Sequence, residues 1–216
     1  EPGAAIGVQL MRGDFSMTGI GTLTHRDGDR VVALGHSMLS GGSVSLPLTA
    51  AYIHSIMPSQ FLSFKMGSAT RPMGVIVQDR APGVAGKIGA QPEMMPAHIV
   101  IQSSGKQERF DFEVLRDRDF SPILLRTAVT SALISSEKLM GETTVHARVR
   151  ITLSGRPPLE IENIYSGLRG MGLAVLGVTT PLNRLMRNRF EEVHIEDVGF
   201  VMEVEEHSRA ARIESV

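Results

Sequence analysis

The sequence predicts an α+β fold in which a mainly antiparallel, curved or barrel-like β-sheet is combined with about three helices. Three observations lead to this prediction. Runs of strand-forming residues are separated by short turn signals, and residues 144–153 alternate strictly between apolar and polar side chains. Three further segments carry a proline in their first turn and apolar residues at helical spacing. Strand runs mixed with separate helical segments are typical of the α+β class.

Length and composition indicate an ordinary globular protein. The 216 residues suffice for a large core, and we predict a single domain over 1–216, with a β-rich part over 1–115 and a helix plus β extension over 116–216. The hydrophobic fraction is 42%, the charged fraction is 21% and the net charge is −1, so the charge balance does not favour nucleic acid. No apolar run approaches the ~18 residues that a membrane-spanning helix needs.

Two absences bear on the chemistry of the chain and on its extent. The chain has no cysteine, which excludes disulfides, a thiol nucleophile and thiolate metal sites and agrees with an exported bacterial protein. Residue 1 is glutamate rather than methionine and no signal peptide follows, so we expect a piece of a longer protein.

The N-terminal part is predicted to consist of strands. Residues 5–11, 15–25 and 30–36 are rich in strand-forming residues, and Asp27-Gly28 between the last two predicts a hairpin turn. This hairpin places His36 where its second strand ends, immediately before a glycine-rich loop.

The middle of the chain gives mixed signals. A helix is predicted over 47–57, and the Gly- and Pro-rich residues 67–96 are expected to be irregular apart from a short strand over 73–77. A second hairpin is predicted from strands over 97–102 and 109–115.

The C-terminal part alternates helices and strands. A helix is predicted over 122–140, with Ser121 as its cap, followed by a half-buried strand over 144–153. A short helix over 181–190 and a strand over 193–206 complete the prediction.

The sequence contains none of the common motifs for metal binding, nucleotide binding or a serine nucleophile. None of the seven histidines forms a close ligand pair, so no metal is predicted. The segments "GIGTLT" and "GMGLAV" lack the third glycine of a dinucleotide fingerprint, so no cofactor is predicted either. Neither Gly-x-Ser-x-Gly nor Gly-x-Ser-Gly-x-Pro is present, so no serine is identified as a nucleophile.

The first half of the chain resembles the SpoIVB-type serine peptidase domain. The resemblance rests on Gly19-Ile20-Gly21-Thr22-Leu23-Thr24, on the hairpin at Asp27-Gly28 and on Ala33-Leu34-Gly35-His36. The segments "GVAGKIGAQPEMMPAHIVI" and "KQERFDFEVL" resemble the same domain, so that residues 2 to about 115 are covered. Later residues resemble larger bacterial proteins that carry this domain.

The resemblance implies a serine endopeptidase-like function with His36 as the general base. It also implies trypsin-like ancestry and a site loop that contains Gly35, Ser37, Gly41 and Gly42. Two carboxylates, Asp79 and Asp111, are candidates for orienting the ring, although the family motif assigns neither. The alternative role for His36 is that of a loop-capping residue without catalytic function.

The chain departs from the family at the nucleophile. The family's Gly-Met-Ser-Gly-Ser-Pro segment is missing, so we expect these 216 residues alone to be inactive as a peptidase. Either the serine lies elsewhere in the polypeptide, or the chain is a non-catalytic binding or scaffolding module. For both alternatives we expect export to the periplasm or cell envelope. The expected partners are a protein or peptide substrate, an envelope protein and the rest of the chain's own polypeptide, but neither nucleic acid nor a membrane span.

Overall fold

The computed structural model describes residues 1–61, 63–136, 141–191 and 193–209. Within these residues it contains eleven strands and two helices, which confirms the α+β class. The chain divides into two compact units, one formed by residues 1–12 and 16–94 and the other by residues 13–15 and 95–216. The single domain over 1–216 stays a prediction beside this division.

The elements follow one another as β1 (Ala5–Gly13), β2 (Met17–Asp27), β3 (Arg30–Ala33), β4 (Gly42–Met57), β5 (Phe64–Arg80), β6 (Gly83–Ile88), β7 (Met94–Ser103), β8 (Lys106–Leu115), α1 (Ser121–Ser136), β9 (Thr143–Leu153), β10 (Leu159–Gly167), α2 (Gly170–Met186) and β11 (Ile195–Glu205).

Six antiparallel strands form the first unit. They pair in the order β1-β2-β3-β6-β5-β4, and β1 also pairs with β4, through Ile6–Val8 against Leu48–Ala50. The ladders therefore lead back to the first strand, although the sheet is not a clear barrel. The buried side chains of this unit include Val8, Leu46 and Ile76, which are at most 1% exposed.

The first predicted hairpin is confirmed, with its turn one residue later than predicted. Asp27 pairs with Arg30, so the two central residues of the turn are Gly28 and Asp29. Gly28 has a φ of 58°, a conformation that glycine adopts without steric cost.

The helix predicted over 47–57 is wrong, because these residues belong to strand β4. The helical spacing would have placed Tyr52 and Ile56 on a buried face, yet they are 62% and 61% exposed. Instead the consecutive residues 46–49 are all buried, which is what a strand covered on both faces requires. Pairing with β1 and β5 therefore overrides the local helical pattern.

The irregular region predicted over 67–96 is also wrong, because it contains most of β5, all of β6 and the start of β7. Its glycines serve a different purpose from loop formation. A Cβ at Gly74 would lie 2.1 Å from the Lys87 carbonyl oxygen, and one at Gly86 would lie 2.8 Å from the Val75 carbonyl oxygen. Glycine here permits close approach of paired backbones inside the sheet.

The second unit has the strand order β10-β9-β11-β7-β8, in which β11 and β7 are parallel. The predicted hairpin of β7 and β8 and the predicted strands β9 and β11 are confirmed. Of the residues that the alternation predicts to face inward, Val145, Ala147, Val149 and Ile151 are at most 1% exposed, whereas Leu153 at the end of β9 is half-buried. Among the strand pairings of the described residues the antiparallel arrangement dominates, as predicted.

Two helices, rather than three, are present in the described residues. The helix predicted over 122–140 is α1, which spans Ser121–Ser136, and residues 137–140 lie outside the described residues. The helix predicted over 181–190 is wrong in extent: α2 spans Gly170–Met186, and Pro181 lies inside it rather than at its start. Burial of Val175, Val178 and Leu182 stabilises the helix and offsets the free energy lost with the hydrogen bond that a proline removes. Neither helix is long and apolar enough to cross a bilayer.

Candidate functional site

His36 lies on the loop that joins β3 to β4, and its backbone surroundings are strained. Only three non-glycine residues in the described ranges have positive φ, and two of them, Leu34 (73°) and Ser40 (59°), flank the histidine. A bulky residue such as leucine enters this region only when neighbouring contacts hold it there. Strain of this kind is concentrated at functional sites, which makes the loop a candidate.

The glycines of strand β2 form the surface on which the loop rests. A Cβ at Gly21 would lie 1.8 Å from Leu34 Cδ2, and one at Gly19 would lie 2.6 Å from Met38 Cε. Leu34 is held further by its amide, which donates to the Thr22 carbonyl oxygen at 3.0 Å. The spacing Gly-x-Gly-Thr thus has a structural reason, since residues two apart on a strand face the same side and here admit two side chains of the histidine loop.

Asp79 holds the loop through hydrogen bonds to its backbone. Its side chain is 1% exposed, and its two carboxylate oxygens accept hydrogen bonds from the amides of Met38, at 2.8 Å, and Leu39, at 2.6 Å. Hydrogen bonds from backbone amides to a buried carboxylate are among the stronger ones in proteins. The candidate orienting carboxylate therefore contacts the backbone just after the histidine, while the ring makes a different contact.

The His36 ring is exposed and makes a hydrogen bond within the loop. Its Nδ1 lies 2.7 Å from the carbonyl oxygen of Ser37. A carbonyl oxygen only accepts, so Nδ1 carries the proton and Nε2 of the neutral ring keeps its lone pair. The exposed ring agrees with the accessibility that a base needs.

The predicted loop residues are all found in this segment. Gly35 has a φ of 79° and Gly42 a φ of 72°, so each adopts a turn that glycine favours. Ser37 Oγ accepts a hydrogen bond from Ser40 Oγ at 2.9 Å, and Gly41 packs beside Val44. Gly42 begins β4 and pairs with Asp79, which links the end of the loop to its anchor.

Asp111, the other candidate carboxylate, is engaged elsewhere. It lies on β8 in the second unit, where Arg109 binds its carboxylate at 2.7–3.0 Å. The hydrogen bond from Arg109 lowers the pKa of Asp111, and the same contact raises the pKa of Arg109. Of the two candidates, Asp79 is the one that the structure brings to the histidine loop.

The sequence-based reasoning missed the residues that support the loop. Leu34, although part of the family motif, and Met38 appear in the sequence as ordinary apolar residues. The available signal was the pair Gly19 and Gly21 within a strand, since glycine inside a strand marks close approach of another segment.

Within the described ranges, no group of three or more His, Asp or Glu side chains is placed to hold a metal ion. An exposed imidazole whose Nδ1 donates to a carbonyl oxygen leaves Nε2 able to accept a proton from a group that approaches it.

Comparison with protein-family models, with curated proteins and with solved structures gave no match for this chain. The likeness to the SpoIVB-type serine peptidase domain therefore rests on the residues themselves and stays a prediction.

Proposed function

We propose that this chain is the histidine-bearing portion of a SpoIVB-like serine endopeptidase domain of the bacterial cell envelope, with His36 as the general base. The observation that carries the proposal is the hydrogen bond from His36 Nδ1 to the Ser37 carbonyl oxygen. In serine peptidases the imidazole must present a free Nε2 to the serine hydroxyl while Nδ1 donates to an orienting acceptor. Here a backbone carbonyl provides that acceptor.

The proposed mechanism divides the work between this chain and a serine held on another part of the polypeptide. His36 Nε2 takes the serine proton as the hydroxyl oxygen attacks the peptide carbonyl, and returns it to the leaving amine. Asp79 and the β2 glycines act as positioning residues, because they hold the loop without touching the ring. A barrel-like closure and trypsin-like ancestry belong to the same proposal, and the pairing of β1 with β4 supports them.

The test uses the protein expressed from its full reading frame. A fluorophosphonate probe identifies a reactive serine, and peptide hydrolysis is measured for the wild type and for His36→Ala. We expect His36→Ala to lower the turnover number by a factor on the order of 10⁶, as in other triads. His25→Ala is the matched control, since His25 is exposed in the same unit, and it should leave turnover unchanged.

Two results would contradict the proposal. One is full activity in a folded His36→Ala protein. The other is turnover by residues 1–216 alone that a serine-directed inhibitor abolishes, since the nucleophile would then lie among the serines of this chain.

The alternative function is that of a non-catalytic binding or scaffolding module in an envelope protein complex. One observation favours it: several large apolar side chains are exposed, among them Tyr52, Ile56 and Phe61. A full-length protein without a probe-reactive serine, whose partner binding is unchanged by His36→Ala, would support this function over the peptidase.

A further inference from the structure

The distal part of the β4–β5 hairpin, residues 51–72, leaves the sheet, and we call it the arm. Pairing of β4 with β1 ends at Ala50, and pairing of β5 with β6 begins at Gly74. Between these points, in the described residues, the two strands pair only with each other. The arm is therefore a two-stranded ribbon with two open edges.

One face of the arm is apolar and exposed. Met57 pairs with Phe64, and Tyr52 pairs with Ser68, two positions beyond Met66 on the same strand. Cross-strand partners share a face, as do residues two apart on a strand, so these apolar side chains form a single stripe. Their exposed fractions are 62% for Tyr52, 45% for Met57, 54% for Phe64 and 48% for Met66.

The opposite face contacts the arm's own unit through Lys65, although Ile56, which pairs with Lys65, is 61% exposed near the tip. Lys65, one residue from Phe64 and thus on the other face, donates to Thr22 of β2 at 2.9 Å. The apolar stripe consequently faces away from β2 and has no core of its own to cover it.

The tip carries apolar residues and no charge. Phe61 is 100% exposed in the turn between the strands. Residues 55–64 contain no ionisable side chain, and His54 and Lys65 bound this segment on either side. Arg71 follows toward the base of the arm. No Asp or Glu occurs from residue 31 to residue 78, although the chain contains 23 of them.

We propose that the arm docks on an anionic lipid surface, with its apolar stripe and uncharged tip against the headgroups and with Lys65 near the tip and Arg71 near the base attracting the anionic lipid. An exposed apolar patch bordered by cations is suited to such a surface, where burial of apolar area and attraction to anionic lipid act together. The open backbone edges confine the tip to the headgroup region, since unpaired N–H and C=O groups cannot enter hydrocarbon.

Charge complementarity selects this occupant over a second copy of the chain. Two arms brought together would place cations against cations, and no carboxylate within residues 31–78 would compensate them. The proposal is independent of the peptidase function, because no step of it uses His36.

The test measures co-sedimentation with vesicles of phosphatidylcholine alone and of phosphatidylcholine mixed with phosphatidylglycerol. We expect binding to the mixed vesicles and its weakening by salt. The pair Phe61→Ser and Phe64→Ser should lower the partition coefficient about tenfold to a hundredfold, as expected for two apolar side chains that the headgroup region buries only in part. Arg71→Gln should lower it about fivefold, the effect of one cation at such a surface. The matched control is Phe190→Ser, because Phe190 is 98% exposed in the second unit and should leave binding unchanged.

A second measurement locates the inserted residue. The chain has no tryptophan, so Phe61→Trp introduces a single reporter. Its emission should shift to the blue with mixed vesicles and be quenched by brominated lipid, whereas Phe190→Trp should show neither change.

Three vesicle results overturn the proposal: no binding of the wild type to mixed vesicles, binding of the Phe61→Ser/Phe64→Ser variant equal to that of the wild type, or a loss of binding in Phe190→Ser equal to that of this variant. A fourth result also overturns it. If the wild type does not bind vesicles but self-associates through the arm, or binds polyglutamate as a model of an acidic protein partner through the arm, the occupant is a protein. Circular dichroism verifies that each variant is folded.

Discussion

The base and the arm of the β4–β5 hairpin belong to the same two strands but have opposite surroundings. At the base, Leu46 and Ile76 are at most 1% exposed and Asp79 anchors the histidine loop. In the arm, Tyr52 and Ile56 are more than 60% exposed. The change occurs where pairing with β1 and β6 stops, so an apolar side chain of this hairpin joins the core only where neighbouring strands are present.

The largest expected difference between base and arm concerns isoleucine truncation. Ile76→Ala removes a fully buried side chain and should lower the free energy of unfolding by about 2–5 kcal/mol. Ile56→Ala removes a side chain that is 61% exposed and should change it by less than about 0.5 kcal/mol. Urea unfolding followed by circular dichroism measures both. Similar losses in the two variants would show that the arm is buried in solution.

Loss of the Asp79 carboxylate at the base of the hairpin gives the next largest expected change in stability. Asp79→Ala leaves the amides of Met38 and Leu39 without their acceptor and should destabilise the protein by about 2–4 kcal/mol. The same variant should broaden the NMR signals of residues 34–41, because the loop loses its attachment. An unchanged unfolding midpoint together with sharp loop signals would show that Asp79 does not hold the loop.

The contact between strand β2 and the histidine loop gives a somewhat smaller effect. Gly21→Ala places a methyl group against Leu34 Cδ2 and should cost about 1–3 kcal/mol, as overpacking typically does. Leu34→Ala removes the obstructing side chain, so the double variant should be more stable than the sum of the single changes predicts. Additive single changes would contradict direct contact between these two residues.

The smallest effect concerns the carboxylate that does not anchor the loop. Arg109 lowers the pKa of Asp111 in the folded protein, so the pair stabilises the fold above the ordinary carboxyl pKa of about 3.9. This stabilisation is lost as the pH falls through the lowered pKa. Asp111→Asn should therefore be slightly less stable than the wild type at pH 7, and the difference should vanish in acid. Asp111 is exposed, so the effect should stay well below that of Asp79→Ala. A larger loss in Asp111→Asn than in Asp79→Ala would reverse this ranking.

Local sequence patterns were sufficient to predict an element when the same face of that element lies on the core along its whole length. Strict alternation predicted β9, and the apolar stripe predicted α1, because each element covers the core with one face. The same reasoning failed for β4, whose residues change from covered on both faces to covered on neither within one strand. No window of sequence shows where a neighbouring strand ends.

The histidine loop shows the same division. The hairpin at Asp27-Gly28 predicted His36 at the end of a strand, whereas in the structure β3 already ends at Ala33 and His36 lies in the loop that follows. Asp79 was named only as a candidate ligand of the ring. Its hydrogen bonds to Met38 and Leu39 connect residues about 40 positions apart in the chain, and only folding brings them together.

The sequence by itself determined the α+β class, both hairpins, the helix α1 and the placement of His36 soon after the second strand of the first hairpin, since these depend on alternation, turn residues and apolar periodicity within a few positions of one another. Tertiary structure decided that residues 47–57 are a strand, that glycines such as Gly74 lie inside the sheet and that Asp79 holds the loop. The physical reason is that burial and close backbone approach are properties of neighbours in space, and pairing of distant strands overrides the weak conformational preferences of the residues it joins.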